Sequence, residues 1–475
     1  MCYNGSLNTH DLGASTLSGF FNLFKPDPHL PEIQDKEVVD SKYKYWRIRT
    51  LYSIFIGYAL YYVTRKTLSA LMPLMVSDLG FTKENLGILV SVFSVTYGIS
   101  KFGNGILSDR SNPRYFMAFG LIMTGIFNIC FGLSSSILLF VLFWGLNGWF
   151  QGCGWPPVAR FLTHWYSQSE RGSWWSTFNV SHNVGAILAP AIIGTLLYFN
   201  PNGWRLAMCV PGTICILGGL FLLNRLRDTP QSLGLPAIEK YRDDYVGVNK
   251  KEGEKELDWK KILFEYVLKN RLIWILAAAY FFVYVVRAGI TEWTVLFMTE
   301  TKGYSTIGSN GFALLFEAGG FCGNLAAGWA SDYFFSARRS PVTVFFSLGL
   351  MATLAAYWCM PPNSPFLDGA ALFGLGFFTF GPQMLIGMCA AEFSHKKAAA
   401  TATGFTGTFA YLGAACAGYP LAIIMQNAGW DGYFLALIAC CAVPAVLLAP
   451  LWNIKENKAV QEQPLPQPQS APQTT

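Results

Sequence analysis

Long apolar segments without charged side chains restrict this chain to folds whose helices lie in lipid. Residues 116–158 contain no Asp, Glu, Lys or Arg. Such a stretch holds one or two helices of about 20 residues, the length that crosses a bilayer. Only 13% of the residues are charged, against about 25% in a typical soluble domain. Because backbone groups in lipid must be hydrogen-bonded internally, we predict an all-α membrane protein.

Hydropathy divides the apolar stretches into twelve predicted membrane helices. They cover about residues 51–75, 85–107, 115–135, 137–161, 173–198, 206–224, 272–298, 309–331, 341–360, 366–391, 399–425 and 431–452. The predicted organisation is an N-terminal segment (1–45), a six-helix half (46–224), a charged central loop (225–270), a second six-helix half (271–453) and a Gln- and Pro-rich tail (454–475). The composition of the tail predicts disorder.

Lys and Arg residues are distributed unevenly between the two sides of the predicted membrane. One side carries Lys42, Lys44, Arg47, Arg49, Arg110, Arg114, Arg171, the basic residues of 225–271, Arg338, Arg339, Lys396, Lys397, Lys455 and Lys458, and the other carries only Lys83, Arg205 and Lys302. Basic loops stay cytoplasmic, so both termini and the central loop are predicted to be cytoplasmic, which an even number of spans allows. The net charge of +6 comes from these loops, and nucleic acid is therefore not an expected partner.

Three short motifs recur in the second half of the chain at nearly one spacing. They are a Gly-x-x-Ser-Asp turn at 105–109 and 328–332, Tyr-x-x-Arg ending at Arg65 and Arg287, and Gly-Trp at 203–204 and 429–430. The offsets are 223, 222 and 226 residues. Two parallel six-helix repeats describe the major facilitator fold, in which the binding site lies between the halves near the middle of the bilayer.

Arg65 and Arg287 occupy equivalent positions in the two repeats and lie inside predicted membrane helices. An ionisable group at that depth costs at least about 2.5–3.5 kcal/mol. Snorkelling to the interface or a structural ion pair is the alternative explanation. Two arginines that face each other across pseudo-symmetric halves repel unless an anion lies between them. Phosphate accepts bidentate hydrogen bonds from guanidinium groups, so we predict that a phosphorylated organic anion binds here.

Aromatic and imidazole side chains accompany the two arginines. Tyr58, Tyr61 and Tyr62 lie seven, four and three residues before Arg65, and we predict that they share one helical face. Tyr284 stands in the same relation to Arg287 as Tyr62 does to Arg65. These side chains suit the hydroxyls and faces of a sugar, although an aromatic packing stripe remains the alternative.

Other polar residues inside the predicted helices have two possible roles. His182 could bind phosphate and take up a proton near neutral pH, or it could serve in helix packing. The first half contains Lys66 and Lys101, and the second contains Glu292 and Glu317. Ion pairs between these groups would close one end of a pathway.

Two acidic turns at the ends of predicted helices are assigned to conformation rather than to binding. Asp109, followed by Arg110, and Asp332 lie at the predicted cytoplasmic ends of the second and eighth segments. We therefore exclude them from the substrate site. The eleventh segment has no charged residue and offers no selectivity candidate. The cysteines have no metal-ligand spacing, so neither a metal nor a cofactor is expected.

Extended motifs are similar to those of one known family. They are Tyr-Tyr-Val-Thr-Arg-Lys at 61–66 and the segments 100–114, 151–157, 165–172, 181–185, 284–287, 380–388 and 391–397. With these motifs the chain resembles the organophosphate:phosphate antiporter family of the major facilitator superfamily, and especially its hexose-phosphate branch of transporters and UhpC-like sensors. The resemblance extends from about residue 43 to residue 452.

The resemblance implies a function and roles for the polar residues. Arg65 and Arg287 would clamp the phosphate with His182 nearby, Lys101 would assist, and Lys66 would exchange partners between Glu292 and Glu317. Glu292 replaces the Asp of glycerol-phosphate members. We expect a monomeric antiporter of the bacterial inner membrane that exchanges a sugar phosphate, hexose 6-phosphate by resemblance, for inorganic phosphate by alternating access. The alternative is a receptor that senses hexose phosphate and signals to a kinase. An enzyme is not expected, because the sequence contains no Walker loop, nucleophile elbow or metal triad.

Overall fold

The structure, a computed structural model, describes residues 24–109, 111–244, 262–336, 338–394 and 399–453. Within these ranges the regular secondary structure is helical, without a β-strand. This result confirms the predicted all-α class. Helices dominate because each satisfies its own backbone hydrogen bonds, as a lipid environment requires.

The first half consists of eight helices that form six spans. They are α1 (Lys36–Arg65), α2 (Thr67–Leu79), α3 (Lys83–Asp109), α4 (Pro113–Leu133), α5 (Ile137–Gln151), α6 (Trp155–Trp165), α7 (Gln168–Phe199) and α8 (Trp204–Arg225). Helices α1 and α2 form one span that is interrupted at Lys66. Helices α5 and α6 form another, interrupted at residues 152–154, where two glycines precede two prolines.

The second half follows a short helix, α9 (Ile238–Arg242), and a π-helix (Ile262–Leu268). Its helices are α10 (Arg271–Glu300), α11 (Thr306–Tyr333), α12 (Arg339–Cys359), α13 (Pro365–Glu392), α14 (Ala399–Cys416) and α15 (Tyr419–Leu448). Gly429 has φ of 63° inside α15 and kinks it, a conformation that glycine adopts without steric cost. The kink separates the eleventh predicted segment from the twelfth.

Nine stretches of the described residues are long and apolar enough to cross a membrane by length and composition. The last, Thr401–Leu451, contains two of the predicted segments. Two other predicted segments are helical but fall outside the nine: 51–75, which includes Arg65 and Lys66, and 309–331, which includes Glu317. Charged and small residues lower the hydropathy of these two helices, so composition alone underestimates them.

Equivalent helices of the two halves pack in the same way. A Cβ atom at Gly185 on α7 would overlap the carbonyl oxygen of Ala59 on α1. A Cβ atom at Gly413 on α14 would likewise overlap the carbonyl oxygen of Phe281 on α10. Ala59 and Phe281 are separated by the same 222 residues as Arg65 and Arg287. The sequence repeat is therefore a structural repeat.

The two halves are joined at the end of the bundle that the charge bias predicts to be extracellular. Lys83 Nζ lies 2.9 Å from Glu300 Oε2, and Trp430 Nε1 donates to the same oxygen at 2.9 Å. The hydroxyl of Tyr419 donates to Glu84 at 3.2 Å. We call these five residues the outer contact cluster.

At the opposite end, the described part of the N-terminal segment packs against the first part of the predicted central loop. Leu30 N donates to Gln231 O at 3.0 Å, and Ile33 N donates to Gly234 O at 2.8 Å. Lys240 Nζ lies 2.7 Å from Glu32 Oε1. These contacts attach the described N-terminal residues to the beginning of the central loop.

Candidate functional site

A cavity of about 70 Å³ lies between the two halves and is lined by helices from both. We call it the central cavity. Its lining includes Tyr62, Arg65, Lys66, Phe93, Ser94, Tyr97, Tyr284, Arg287, Ala288, Thr291, Glu292, Tyr411 and Ala414. The structure thus brings both predicted arginines to one cavity from opposite halves.

Arg65 is held by neighbours within its own half. It is the last residue of α1. Its Nε and Nη2 atoms donate to Gln151 Oε1 at 3.3 and 3.1 Å, and its guanidinium carbon lies 4.3 Å from the centre of the Tyr62 ring and 4.5 Å from that of Tyr97. Gln151 is itself fixed, because its Nε2 donates to Tyr61 O at 3.0 Å. The Arg65 guanidinium therefore has a defined position before any ligand binds.

Arg287 has different surroundings in the second half. Its guanidinium carbon lies 5.3 Å from the centre of the Tyr284 ring and 5.1 Å from that of Phe380. Its Nε atom is buried and has no hydrogen-bond partner in the described part of the chain. A buried donor without an acceptor is unfavourable, and an anion in the central cavity would supply one.

Of the three predicted tyrosines on α1, Tyr58 and Tyr62 lie side by side, with ring centres 5.6 Å apart. Tyr61 points elsewhere, which corrects the expectation of a common face for all three. Tyr62 lines the central cavity. Tyr58 is 6% exposed and packs 5.2 Å from Phe178, ring centre to ring centre. Tyr61 is fully buried, and its hydroxyl donates to Met117 O at 2.8 Å. Successive helical residues differ in direction by about 100°, so Tyr61 and Tyr62 cannot both face a narrow cavity.

Two tyrosines that the sequence did not single out connect the halves beside Arg65. The rings of Tyr97 on α3 and Tyr411 on α14 are 4.7 Å apart, edge to face. Both line the central cavity, and Tyr411 belongs to the segment for which no candidate was expected. Tyr97 precedes Lys101 by one turn, a spacing that could have indicated it. Tyr411 had no comparable signal.

Lys101 and His182 lie beside residues that line the central cavity. Lys101 Nζ is 5.2 Å from the centre of the Tyr411 ring. The His182 ring is 5.6 Å from that of Tyr62, centre to centre. Both predicted residues therefore lie next to an aromatic ring that lines the central cavity.

The buried ion pair between the halves joins Lys66 to Glu317. Lys66 Nζ lies 3.3 Å from Glu317 Oε1, with side-chain exposures of 11% and 8%. Glu292 lines the central cavity together with Lys66. Lys66 therefore has both predicted acidic partners within its surroundings and is paired with one of them.

Asp332, one of the predicted conformational residues, is not among the residues that line the central cavity. Asp332 accepts from Arg339 of α12, and Arg339 Nη2 lies 3.3 Å from Glu392 Oε1 of α13. This cluster fixes the end of α11 that is farther from the outer contact cluster. Asp109 ends α3, but its side chain and the whole of Arg110 are outside the described residues.

Comparisons with known proteins match this architecture. The family model described as Major Facilitator Superfamily matches residues 54–418. A solved bacterial homologue of the human lysosomal transporter Spinster, in an inward-facing and unoccupied conformation, has a TM-score of 0.68 at 15% identity and covers 89% of this chain and 99% of its own. At that identity the likeness shows the fold alone.

Three curated relatives cover most of the chain. A probable hexose phosphate transport protein of Chlamydia trachomatis is 54% identical, covering 92% of this chain and 97% of the relative. The membrane sensor protein UhpC of Escherichia coli is 46% identical, covering 91% and 98%. The hexose-6-phosphate:phosphate antiporter of Escherichia coli is 35% identical, covering 86% and 92%.

These matches agree with the all-helical architecture. The family is one of transporters rather than enzymes, and it places the chain in the membrane as a multi-pass protein. The relatives correspond to the hexose-phosphate branch that the sequence motifs resemble. The chain belongs to the Major Facilitator Superfamily, in the UhpC-like branch of its organophosphate:phosphate antiporters.

Proposed function

We propose that this protein exchanges a sugar phosphate, with hexose 6-phosphate as the expected substrate, for inorganic phosphate. The observation that carries this proposal is the arrival of Arg65 and Arg287 at one cavity from equivalent positions in opposite halves. Two guanidinium groups match the oxygens of a phosphate better than any other common metabolite group. The names of the relatives, which include a hexose phosphate transport protein and a hexose-6-phosphate:phosphate antiporter, support the same substrates.

Within this proposal the side chains around the cavity have distinct roles. Arg65 and Arg287 bind the phosphate, and Lys101 and His182 add positive charge or hydrogen bonds at its edge. Tyr62 and Tyr284 line the site beside the arginines, together with Tyr97 and Tyr411. Tyr61 supports α1 from the core of the first half, and Tyr58 packs beside Tyr62, with ring centres 5.6 Å apart, at the edge of the site.

Alternating access follows from where the halves touch. The outer contact cluster and the Lys66–Glu317 pair hold them together at one side of the central cavity. With the basic loops on the cytoplasmic side, the joined end is extracellular, so the halves are closed towards the outside in this conformation. The proposal therefore includes cytoplasmic termini and a location in a bacterial inner membrane. Rocking would exchange the partners of Lys66 between Glu317 and Glu292.

A receptor is the second candidate, because the membrane sensor protein UhpC is 46% identical to this chain. A receptor needs the same phosphate site and a conformational change that a partner kinase can detect, but no complete exchange cycle. A single monomer contains the whole site, so neither candidate requires an oligomer.

Reconstitution into liposomes distinguishes the candidates. Liposomes loaded with radioactive phosphate should release it when glucose 6-phosphate is added outside and should retain it with free glucose. Release without external sugar phosphate would contradict exchange. Tight binding of glucose 6-phosphate without any release would favour the receptor.

A further inference from the structure

Asn324 on α11 faces the first half. Glu317 of the same helix pairs with Lys66 of the first half at 3.3 Å, so that face of α11 points across the interface. Asn324 comes seven residues later, which is two helical turns, and therefore lies on the same face. Its Oδ1 atom is buried and has no hydrogen-bond partner among the described residues.

Gln383 on α13 faces the same region. The Phe380 ring packs against the guanidinium of Arg287, and Gln383 follows one turn later on that face. Its Oε1 atom is also buried and has no partner in the described ranges. Gln383 lies within segment 380–388, one of the motifs that carry the family resemblance, and the site described so far gives a role only to Phe380 of that segment.

The two amides lie on neighbouring helices, at depths that differ by about one and a half turns. Helices α11 and α13 touch through their backbones, since a Cβ atom at Gly323 would overlap the carbonyl oxygen of Phe377. A Cβ atom at Gly381 would come within 3.0 Å of Ala327 Cβ. These contacts set Gly323 level with Phe377 and Ala327 level with Gly381. Gln383 therefore lies five residues, about 7.5 Å, further along the helix pair than Asn324. Both helices begin at the end of the outer contact cluster, and the two amides lie in the parts of the helices that lead away from it.

Repeat-equivalent positions in the first half carry different chemistry. Lys101 precedes Ser108 by seven residues, as Asn324 precedes Ser331. Gln151 and Phe380 each contact the arginine of their own half and are each followed by glycine, which makes Gly154 the counterpart of Gln383. The first half thus offers a cation and a glycine where the second offers two neutral amides.

We propose that Asn324 and Gln383 bind sugar hydroxyl groups and direct the sugar towards the second half, while the phosphate stays near Arg65, Arg287 and Lys101. This inference rests on the proposed exchange of sugar phosphate. A buried acceptor without a partner is unfavourable, and a hydroxyl of a bound sugar can donate to each amide oxygen. An amide carries no charge and adds little for phosphate itself, so these residues distinguish sugar phosphates from inorganic phosphate.

The test compares the affinities of two anions for the purified full chain. Asn324→Leu and Gln383→Leu should each raise the apparent Kd for glucose 6-phosphate about three- to tenfold relative to that for inorganic phosphate, the loss expected for one neutral hydrogen bond. The matched controls are Cys322→Ala, an exposed position on α11, and Met388→Leu, an exposed position on α13. Neither control should change the ratio of the two Kd values.

Deoxy analogues test the same site without relying on the variants. Wild-type protein should bind at least one of 2-, 3- and 4-deoxyglucose 6-phosphate about three- to tenfold more weakly than glucose 6-phosphate. The variant that lacks the matching amide should not distinguish that analogue from glucose 6-phosphate. The sugar subsite alone would be overturned by either of two results. One is that wild-type protein binds all three analogues as tightly as glucose 6-phosphate; the other is that the Kd ratio is unchanged in both variants. Failure of wild-type protein to bind glucose 6-phosphate would overturn the exchange proposal and this inference together.

Discussion

The surroundings of Arg65 and Arg287 differ, although the two residues are equivalent in the repeat. Arg65 ends a helix and donates twice to Gln151, whereas Arg287 lies within the continuous helix α10 and meets the Phe380 ring where its counterpart meets an amide. One guanidinium is fixed by a neutral acceptor, and the other has a buried Nε without one. A pseudo-symmetric scaffold therefore holds an asymmetric site.

This difference indicates how two like charges share one cavity. Gln151 accepts two hydrogen bonds from Arg65 but carries no charge, so both arginines keep their full charge. Arg287, with fewer partners, is the group whose environment should change more when phosphate enters. The following predictions test this contrast, from the largest expected effect to the smallest.

Substitution of either arginine by lysine should have the largest effect. Arg65→Lys and Arg287→Lys should each weaken binding of glucose 6-phosphate by more than about 100-fold, because an ammonium group cannot reproduce two charge-assisted hydrogen bonds from a planar fork. Binding to purified protein by calorimetry measures the loss. Near-normal affinity in either variant would remove that arginine from the site.

Reversal of the charge at Lys66 should have the second-largest effect. Lys66→Glu places two carboxylates together at a buried contact between the halves, and exchange should slow by about tenfold or more. Adding Glu317→Lys should restore part of the rate, and adding Glu292→Lys tests the second partner in the same assay. If neither double variant exchanges faster than the slower of its two single variants, Lys66 does not pair with these acids during transport.

Substitution of the residues that contact the two arginines should have a moderate effect on phosphate binding. Gln151→Leu removes the acceptor that orients Arg65 and should weaken phosphate binding about three- to tenfold. Phe380→Gln gives Arg287 an acceptor that competes with the ligand and should also weaken binding. The phosphate Kd of each variant measures the contrast. Equal tolerance of both changes, with wild-type affinity, would mean that the different partners do not matter for binding.

The outer contact cluster should respond least. Lys83 and Glu300 are 21% and 33% exposed, and a partly exposed pair contributes about 0–1 kcal/mol. Lys83→Gln should therefore change the exchange rate less than about fivefold and shift the protein towards the outward-open conformation. Labelling of a cysteine introduced near Trp430 should increase in the variant. Unchanged labelling would assign closure of this end to the buried Lys66–Glu317 pair instead.

The sequence predicted most of the scaffold because the relevant signals are local or repeated. Uncharged stretches indicate membrane helices wherever they occur, and a constant offset identifies equivalent positions without any coordinates. Arg65 and Arg287 were recognisable on both grounds. Both helices that contain Arg65 and Glu317 were among the twelve predicted segments, although they are absent from the nine described stretches that are apolar enough by length and composition. The charged residues that serve the site also lower the mean hydropathy of these helices, so that they resemble helices of soluble proteins.

Other features depended on the direction of a side chain around its helix. Spacing placed Tyr61 beside Tyr62, but contacts with α4 turn Tyr61 into the core. Tyr411 lies in a segment of otherwise apolar and small residues and became part of the site only because α14 packs against α3 of the other half.

The sequence by itself therefore determined the membrane class, the two repeats and the pair of buried arginines. Periodicity, charge and offset can be read along a single chain, and lipid tolerates few alternative structures. Only the tertiary structure decided which acid pairs with Lys66, which tyrosines reach the cavity, and that Gln151 and Phe380 give equivalent arginines different partners. Those contacts join residues that are far apart in sequence, and they depend on rotations of whole helices that no local pattern specifies.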